Sequence, residues 1–306
     1  MKLPGSGPAR WLLYIIILAV VFWFGIYLIP VPAEAYPDSE NLSTLRILDR
    51  HGNLLREVCR DSRGYGRWVS ISEMSPHLIS ATICQEDRRF YKHPGIDPVA
   101  VARAIWQNLK ARRIVSGAST ITMQAARQVY HINNRGFFGK LYEMLCALRL
   151  ERKFTKDQIL ELYLNRVSYG NRCLGVESAS RLYFDMGCNN LSLAQAAFLA
   201  VLPRAPTLMD PYRNPGRALS DMKHLLSDME NLDYEKPETI KVALDEKIKI
   251  IPPDENFLAP HFCDYVLSYL RENGITGAMV IRTTLSLPIQ KEVERLLLEQ
   301  LVQVKD

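Results

Sequence analysis

The run from Trp11 to Ile29 sets the first limit on this chain. It reads WLLYIIILAVVFWFGIYLI, 19 residues without a charge. As a helix that is roughly 28 Å, enough to cross the hydrocarbon core of a bilayer. Lys2 and Arg10 precede it, and Glu34, Asp38 and Glu40 follow. Positive charge on the near side places the N-terminus in the cytoplasm and the rest outside. Trp11, Trp23 and Tyr27 suit the two interfaces. A cleaved signal peptide is the alternative, since Ala33-Glu34-Ala35 resembles a cleavage site. The apolar run is longer than the usual core of a signal peptide, which favours an uncleaved anchor. The expectation is a cytoplasmic tail at 1–10, a single-pass signal-anchor at 11–29, and a folded unit on the external side of the inner (cytoplasmic) membrane.

The chain beyond Ile29 must fold in water. The 306 residues are 48% hydrophobic and 23% charged, too apolar for a disordered polyelectrolyte and too charged for a polytopic membrane protein. Six cysteines are scattered without a Cys-x-x-Cys pair or a His/Cys ladder, so a zinc ribbon or a disulfide miniprotein does not fit. The net charge of +5 is uneven. Between Arg103 and Lys156 stand 11 Lys or Arg against two acids, Glu143 and Glu151. Such a stretch outside the cytoplasm suits phosphate or anionic head groups. No nucleic-acid motif accompanies it.

The pattern predicts a mostly α chain with a small N-terminal β element. Leu45–Leu48 and Leu54–Val58 flank Asp49-Arg50-His51-Gly52-Asn53, a hairpin signal. Asp97-Pro98 opens a helix towards Arg112, and Ser119 is the expected cap of the next. Thr155 with Gln158 and Ser192 with Gln195 are capping boxes, the second opening an apolar helix that Pro203 stops. Asn214-Pro215 and Lys236-Pro237 start further helices. Breaks are expected at Ser116-Gly117-Ala118 and Asn133–Gly136. Ala278–Leu285 reads as a strand, and Pro288–Val304 as an amphipathic helix.

Four clusters could carry chemistry. Glu86 and Asp87 lie near a helix end beside Phe90, where a desolvated carboxyl can act as a base, although the spacing alone favours a surface acid paired with Arg88 or Arg89. Ser119 and Thr120 stand at a helix start whose free N–H groups suit phosphate, with Gln124 and Arg127 on one face beyond; a plain capped helix is the alternative. Lys140 and Glu143 share a helix face among Phe137, Phe138, Leu141 and Tyr142, either as a pair in a cleft or as a solvated surface pair. Tyr163 and Asn165 sit near the end of an apolar helix and read as loop-locking residues.

In this order and spacing the clusters resemble the glycosyltransferase family 51 domain of class A penicillin-binding proteins. Glu86-Asp87-x-x-Phe90-x-x-His93-x-Gly95 matches the first motif, and Gly117-x-Ser119-Thr120-Ile121-Thr122-x-Gln124 the second. Lys140-x-x-Glu143 matches the third, and Ile159-Leu160-x-x-Tyr163-Leu164-Asn165 with Gly170 the fourth. Gly175, Ala179, Tyr183-Phe184 and the stretch from Ala196 to Pro206 match a fifth region. The likeness covers about residues 40–220 and is nearest to C-type members.

The resemblance implies a lysozyme-like fold that polymerises lipid II. It makes Glu86 the base and Glu143 a second essential carboxylate, one that either orients Lys140 or helps hold a divalent ion (Mg or Mn) at the diphosphate. It places Asp87, Phe90, Ser119, Thr120, Gln124, Arg127, Lys140 and Asn165 at the substrate. It implies no organic cofactor and no nucleic acid. Lipid II, lipid-linked glycan, the membrane and cell-wall synthesis proteins are the expected partners. The domain is expected at 40–230, with 231–306 a helical extension and the start of a linker to a missing transpeptidase domain. Ser220-Asp-Met-Lys223 and Ser39-Glu-Asn41 fit fragments of transpeptidase motifs but in the wrong order, with no Lys-Thr-Gly.

Departures are Gly139 where Arg is usual, Met123 for a Gln, Arg127 for a Lys, Asp185-Met186 for Gly-Lys, and Gln195 for a Glu. Two other readings remain open: a lysozyme-like hydrolase of the same polymer, and a degenerate cell-wall scaffold.

Overall fold

The structure is a computed structural model describing residues 14, 24–36, 45–58, 65–113, 117–134, 136–252, 258–275 and 280–304. Most of Trp11–Ile29 therefore lies outside the described residues, apart from residue 14 and the segment from 24 onward. Among the described residues no helix is long and apolar enough to cross a membrane. Residues 24–28 are helical.

The chain is mostly helical, as its capping signals predict. Helix α1 (Pro76–Glu86) and α2 (Pro98–Ala111) both start with proline in the first turn. The Asp97 carboxylate accepts the Val99 N–H at 2.9 Å, fixing the start of α2. There follow α3 (Ile121–Val129), α4 (Phe137–Glu151), α5 (Lys156–Arg166) and α6 (Val176–Phe184). Then come α7 (Leu193–Val201), α8 (Pro215–Asn231) and α9 (Pro237–Asp245). Both expected capping boxes are formed, at Thr155–Gln158 and Ser192–Gln195. The expected cap Ser119 is displaced by one residue. Thr120 Oγ1 accepts the Met123 N–H at 3.1 Å instead.

Helix α7 is apolar all round, and every residue but Gln195 is buried. Such a helix can only be central. It packs along α1 on one side and α8 on another, while α3 packs against α4 and α5. Phe90, Tyr163, Tyr169, Tyr183 and Phe198 fill the core between these groups. Ile240 and Ala243 of α9 belong to this same core.

The β elements form a second, smaller core. β1 (Leu45–Leu48) pairs antiparallel with β2 (Leu54–Val58), the predicted hairpin. On its other edge β1 pairs parallel with a strand from the far end of the chain. Two short strands intervene in sequence, β3 (Tyr65–Gly66) and β4 (Cys173–Leu174), parallel to each other. The distant strand is β5 (Val280–Arg282), shorter than the expected Ala278–Leu285, of which 278 and 279 lie outside the described residues. Leu45, Ile47 and Leu55 pack there against Cys263, Val266 and Leu270 of α10 (Pro260–Glu272). α11 (Leu287–Val304) follows, its Leu287 N–H donating to Asp49 Oδ2 at 3.2 Å. The hairpin thus shares its core with residues 258–287, and the helical body runs on through α9. Cys84, Cys146, Cys173, Cys188 and Cys263 are buried free thiols.

Gly139 is a close-approach position. A Cβ there would lie 2.0 Å from the Asn134 carbonyl oxygen, so the loop before α4 leaves no room for any side chain. This is a physical reason for glycine where the resembling family carries arginine.

Candidate active site

Three helices meet at the site. α1 ends on Glu86, α3 presents Gln124 and Arg127, and α4 presents Lys140 and Glu143. Gln124 Nε2 donates to Glu86 Oε2 at 2.6 Å. One turn on, Arg127 donates through Nε at 3.0 Å and Nη2 at 2.5 Å to Glu143 Oε2. Residues three apart on a helix are neighbours, about 5–6 Å between Cβ atoms. Both carboxylates therefore lie against one face of α3. Lys140 Nζ donates to Glu143 Oε1 and to Ser119 Oγ, each at 2.6 Å.

The electrostatics of the two acids differ. Burial pushes the Glu86 carboxyl above the ordinary glutamate range. The Gln124 hydrogen bond and the Arg204 guanidinium oppose that shift, while Asp87 adds to it. Glu143 is 1% exposed and satisfied by two cations that are themselves 40% (Arg127) and 35% (Lys140) exposed. An ammonium has three N–H groups and a guanidinium five. Both cations thus keep donors for a ligand after serving Glu143, among the contacts of the described residues. The arrangement is a buried anchor that aims two half-open cations outward.

Other expected substrate contacts are builders of the site. Asp87 is 8% exposed, and its oxygens accept from His93 Nε2 at 3.0 Å and from the Ile121 N–H at 3.1 Å. The Gly95 N–H donates to His93 Nδ1 at 3.2 Å, which puts the ring proton on Nε2. Thr120 Oγ1 donates to the Gly95 carbonyl at 2.5 Å. Gly95 has φ +94, and a Cβ there would meet Glu151 and the Ala147 carbonyl of α4. These bonds tie the loop after Glu86 to the start of α3 and to α4. Phe90 is 0% exposed, with Lys156 Nζ 4.4 Å from its ring centre. Asn165 is 2% exposed and holds Val69 through its N–H at 2.9 Å and its carbonyl at 2.8 Å. Asp87, Phe90, Thr120 and Asn165 are thus buried, and the polar side-chain atoms of Asp87, Thr120 and Asn165 are bonded within the protein. Ser119, Gln124, Arg127 and Lys140 are brought together with Glu86 and Glu143.

Asp87→Ala is expected to cost about 2–5 kcal/mol, because it strands two buried donors, the His93 Nε2–H and the Ile121 N–H. Urea denaturation checks this, the expected result being a lower midpoint with an unchanged slope.

For the expected divalent ion the described residues offer no ready-made all-protein site. Both Glu143 oxygens are engaged by Arg127 and Lys140. Among the described residues no group of three or more His, Cys, Asp or Glu could hold a metal.

Sequence reasoning missed Arg204, in the 3-10 turn Leu202–Arg204 after α7. Its exposed guanidinium bears on Glu86 across the tertiary fold. Its only signal was its place inside the Leu202–Pro206 match.

A family model described as Transglycosylase matches residues 51–230. The chain belongs to the transglycosylase family. Penicillin-binding protein 1A of Aquifex aeolicus is 35% identical over 299 residues, covering 94% of this chain and 41% of that protein. Penicillin-binding protein 1C of Escherichia coli is 39% identical over 237 residues, covering 77% of this chain and 30% of that protein. The crystal structure of penicillin-binding protein 1A from Haemophilus influenzae is similar over 78% of this chain and 25% of that one, with 23% identity and a TM-score of 0.46. The chain thus spans under half the length of these relatives. The transglycosylase match includes every site residue above and leaves out β1 and the segment beyond α8.

Proposed function

We propose that this transglycosylase domain polymerises lipid II into β-1,4-linked glycan strands at the outer face of the membrane. Glu86 takes the proton from the 4-hydroxyl of the acceptor sugar. That oxygen attacks the anomeric carbon of the growing chain from the face opposite its leaving group. The bond from that carbon to the lipid diphosphate breaks, the diphosphate carries away the electron pair, and the configuration inverts. Arg127 and Lys140 meet the charge developing on the diphosphate with charge-assisted hydrogen bonds. Glu143 holds both cations in that direction.

The observation that carries this reading is the pairing on α3: the base-like Glu86 on Gln124, and one turn away two half-open cations on a buried Glu143. A hydrolase of neutral glycan has no use for the second half of that arrangement. A bilayer close to the site is consistent with exposed apolar side chains, Phe137 and Phe138 on the site helix α4 and Trp106 and Leu109 on α2. Tyr27, in the N-terminal segment, lies 5.6 Å from the Arg149 guanidinium of α4.

The test is purified protein with lipid II, with and without Mg²⁺ or Mn²⁺. Long glycan with release of the lipid diphosphate is the expected product. Shortening of preformed strands without polymerisation would establish the hydrolase reading instead.

A further inference from the structure

A second set of contacts on α4 lies away from the site and has no part in the mechanism above. The chain from Tyr27 to Tyr36 is laid against the end of that helix. Arg149 Nε donates to the Ile29 carbonyl at 3.0 Å. The Tyr27 ring centre is 5.6 Å from the Arg149 guanidinium and 4.9 Å from that of Arg152, within cation–π reach of both. Ile29 and Val31 pack against the main core, and Ala35 belongs to it. The Tyr36 ring meets that of Phe154 edge on, with centres 5.5 Å apart. The sequence stiffens this stretch as well. Pro30 and Pro32 fix two φ angles. A 3-10 turn at Ala33–Ala35 follows, in which the Ala35 N–H donates to the Pro32 carbonyl and the Tyr36 N–H to the Ala33 carbonyl, each at 3.0 Å. Residues 27–36 are therefore a docked strap and not a loose tether. At its N-terminal end Phe24 and Leu28 turn apolar side chains outward, 65% and 83% exposed.

We propose that Arg149 is a positioning residue for the reaction: with Arg152 it clamps Tyr27, and the strap then holds α4 at one height and tilt above the bilayer. The inference rests on two readings above, a membrane segment that ends at Ile29 and a lipid diphosphate as leaving group. α4 is a single helix from Phe137 to Glu151, with Lys140 and Glu143 near its start and Arg149 near its end. From Lys140 to Arg149 is roughly 13 Å along the helix axis. A helix of that length moves as one body, so what fixes Arg149 also fixes Lys140. The substrate makes this matter. A diphosphate joined to a membrane lipid stays at the depth of the head groups, so the cations that meet it must be presented at that depth. When only a fraction of the molecules presents them, the apparent affinity falls by that fraction. Releasing the clamp thus weakens binding of bilayer-held substrate and leaves the chemistry at Glu86 alone.

The test is polymerisation by the full chain in phospholipid vesicles carrying lipid II, beside a water-soluble short-chain analogue of lipid II that no bilayer holds. Arg149→Met is expected to raise KM for the vesicle substrate about tenfold, with kcat and the KM of the soluble analogue unchanged. Tyr27→Leu removes the ring from the other side of the clamp and should do the same. It serves where Arg149→Met fails to fold, because Tyr27 is 49% exposed. Tyr27→Trp keeps an aromatic face for both guanidinium groups and should behave as wild type. Hydrogen exchange reads the strap itself: the Ala35 and Tyr36 N–H groups should exchange about tenfold faster in Arg149→Met and in Tyr27→Leu. An unmoved vesicle KM in either folded variant overturns the proposal. So does an equal rise on the soluble analogue, which would make the arginine act on the site directly. A wild-type chain that polymerises neither substrate removes the proposed function, and one that polymerises both without floating with the vesicles removes the membrane segment; either takes this inference with it. An unmoved KM in a chain that floats and polymerises removes this inference alone.

Discussion

Glu86→Gln is expected to lower polymerisation of lipid II by about 10²–10⁴-fold while the protein folds at least as well as before. Glutamine keeps the shape and the contact with Gln124 but cannot accept a proton. Stability should move the other way. Burial raises the folded-state pKa of Glu86 above its unfolded value, so the folded chain binds this proton more tightly. The stability linked to that proton is complete below the unfolded pKa and is lost as pH rises through the folded one. At neutral pH the charged Glu86 is therefore a burden on the fold, and the glutamine variant should melt at the same temperature or higher. The wild-type rate should rise with pH along an acidic limb set by Glu86, and the residual rate of the variant should lack that limb. Single-turnover polymerisation across pH, beside thermal melts, reads both. A variant that polymerises normally would show that Glu86 is not the base.

Lys140→Met and Glu143→Gln form the second large pair. Lys140 donates to Glu143 and Ser119 and keeps a donor for the diphosphate. Removing one such donor from a charge-stabilising site costs about 10²–10³-fold in kcat. Glu143→Gln removes no donor to the substrate but frees both cations from their anchor, and misaimed groups cost up to roughly 10²-fold. The thermal penalty should stay near 1 kcal/mol, because Arg127 and Lys140 are more than a third exposed and water screens them. Since Glu143 acts through both cations and still holds Arg127 in Lys140→Met, the double variant should be worse than Lys140→Met but better than the product of the two single losses. Fully multiplicative losses in kcat/KM would show that Glu143 acts independently of Lys140.

Local signals explain what the sequence made readable. The helix starts at Pro98, Lys156, Leu193, Pro215 and Pro237 arise from caps and prolines a few residues long. Glu86, Gln124, Arg127, Lys140 and Glu143 were legible through the motif resemblance, since each cluster alone also fits a capped helix or a surface ion pair. Burial was not legible within the motifs. Asp87, Phe90, Thr120 and Asn165 occupy motif positions, yet they hold loops and core, and a motif does not tell a residue that builds a site from one that touches a ligand. The Ser119–Thr120 displacement is a one-residue choice between neighbouring hydroxyls. Arg204 bears on Glu86 only through tertiary packing, and β5 finds β1 across more than 200 residues.

That last pairing has a consequence for biogenesis. Arg50 bonds the carbonyl of Thr284, a partner 234 positions later. At roughly 5–20 residues per second, a ribosome delivers that partner on the order of 10–50 s after the hairpin. The helical body can mature in the interval, while β1 waits with one open edge. A newborn molecule therefore spends that time exposing an unpaired strand, and this is the stage at which a protecting chaperone would matter most.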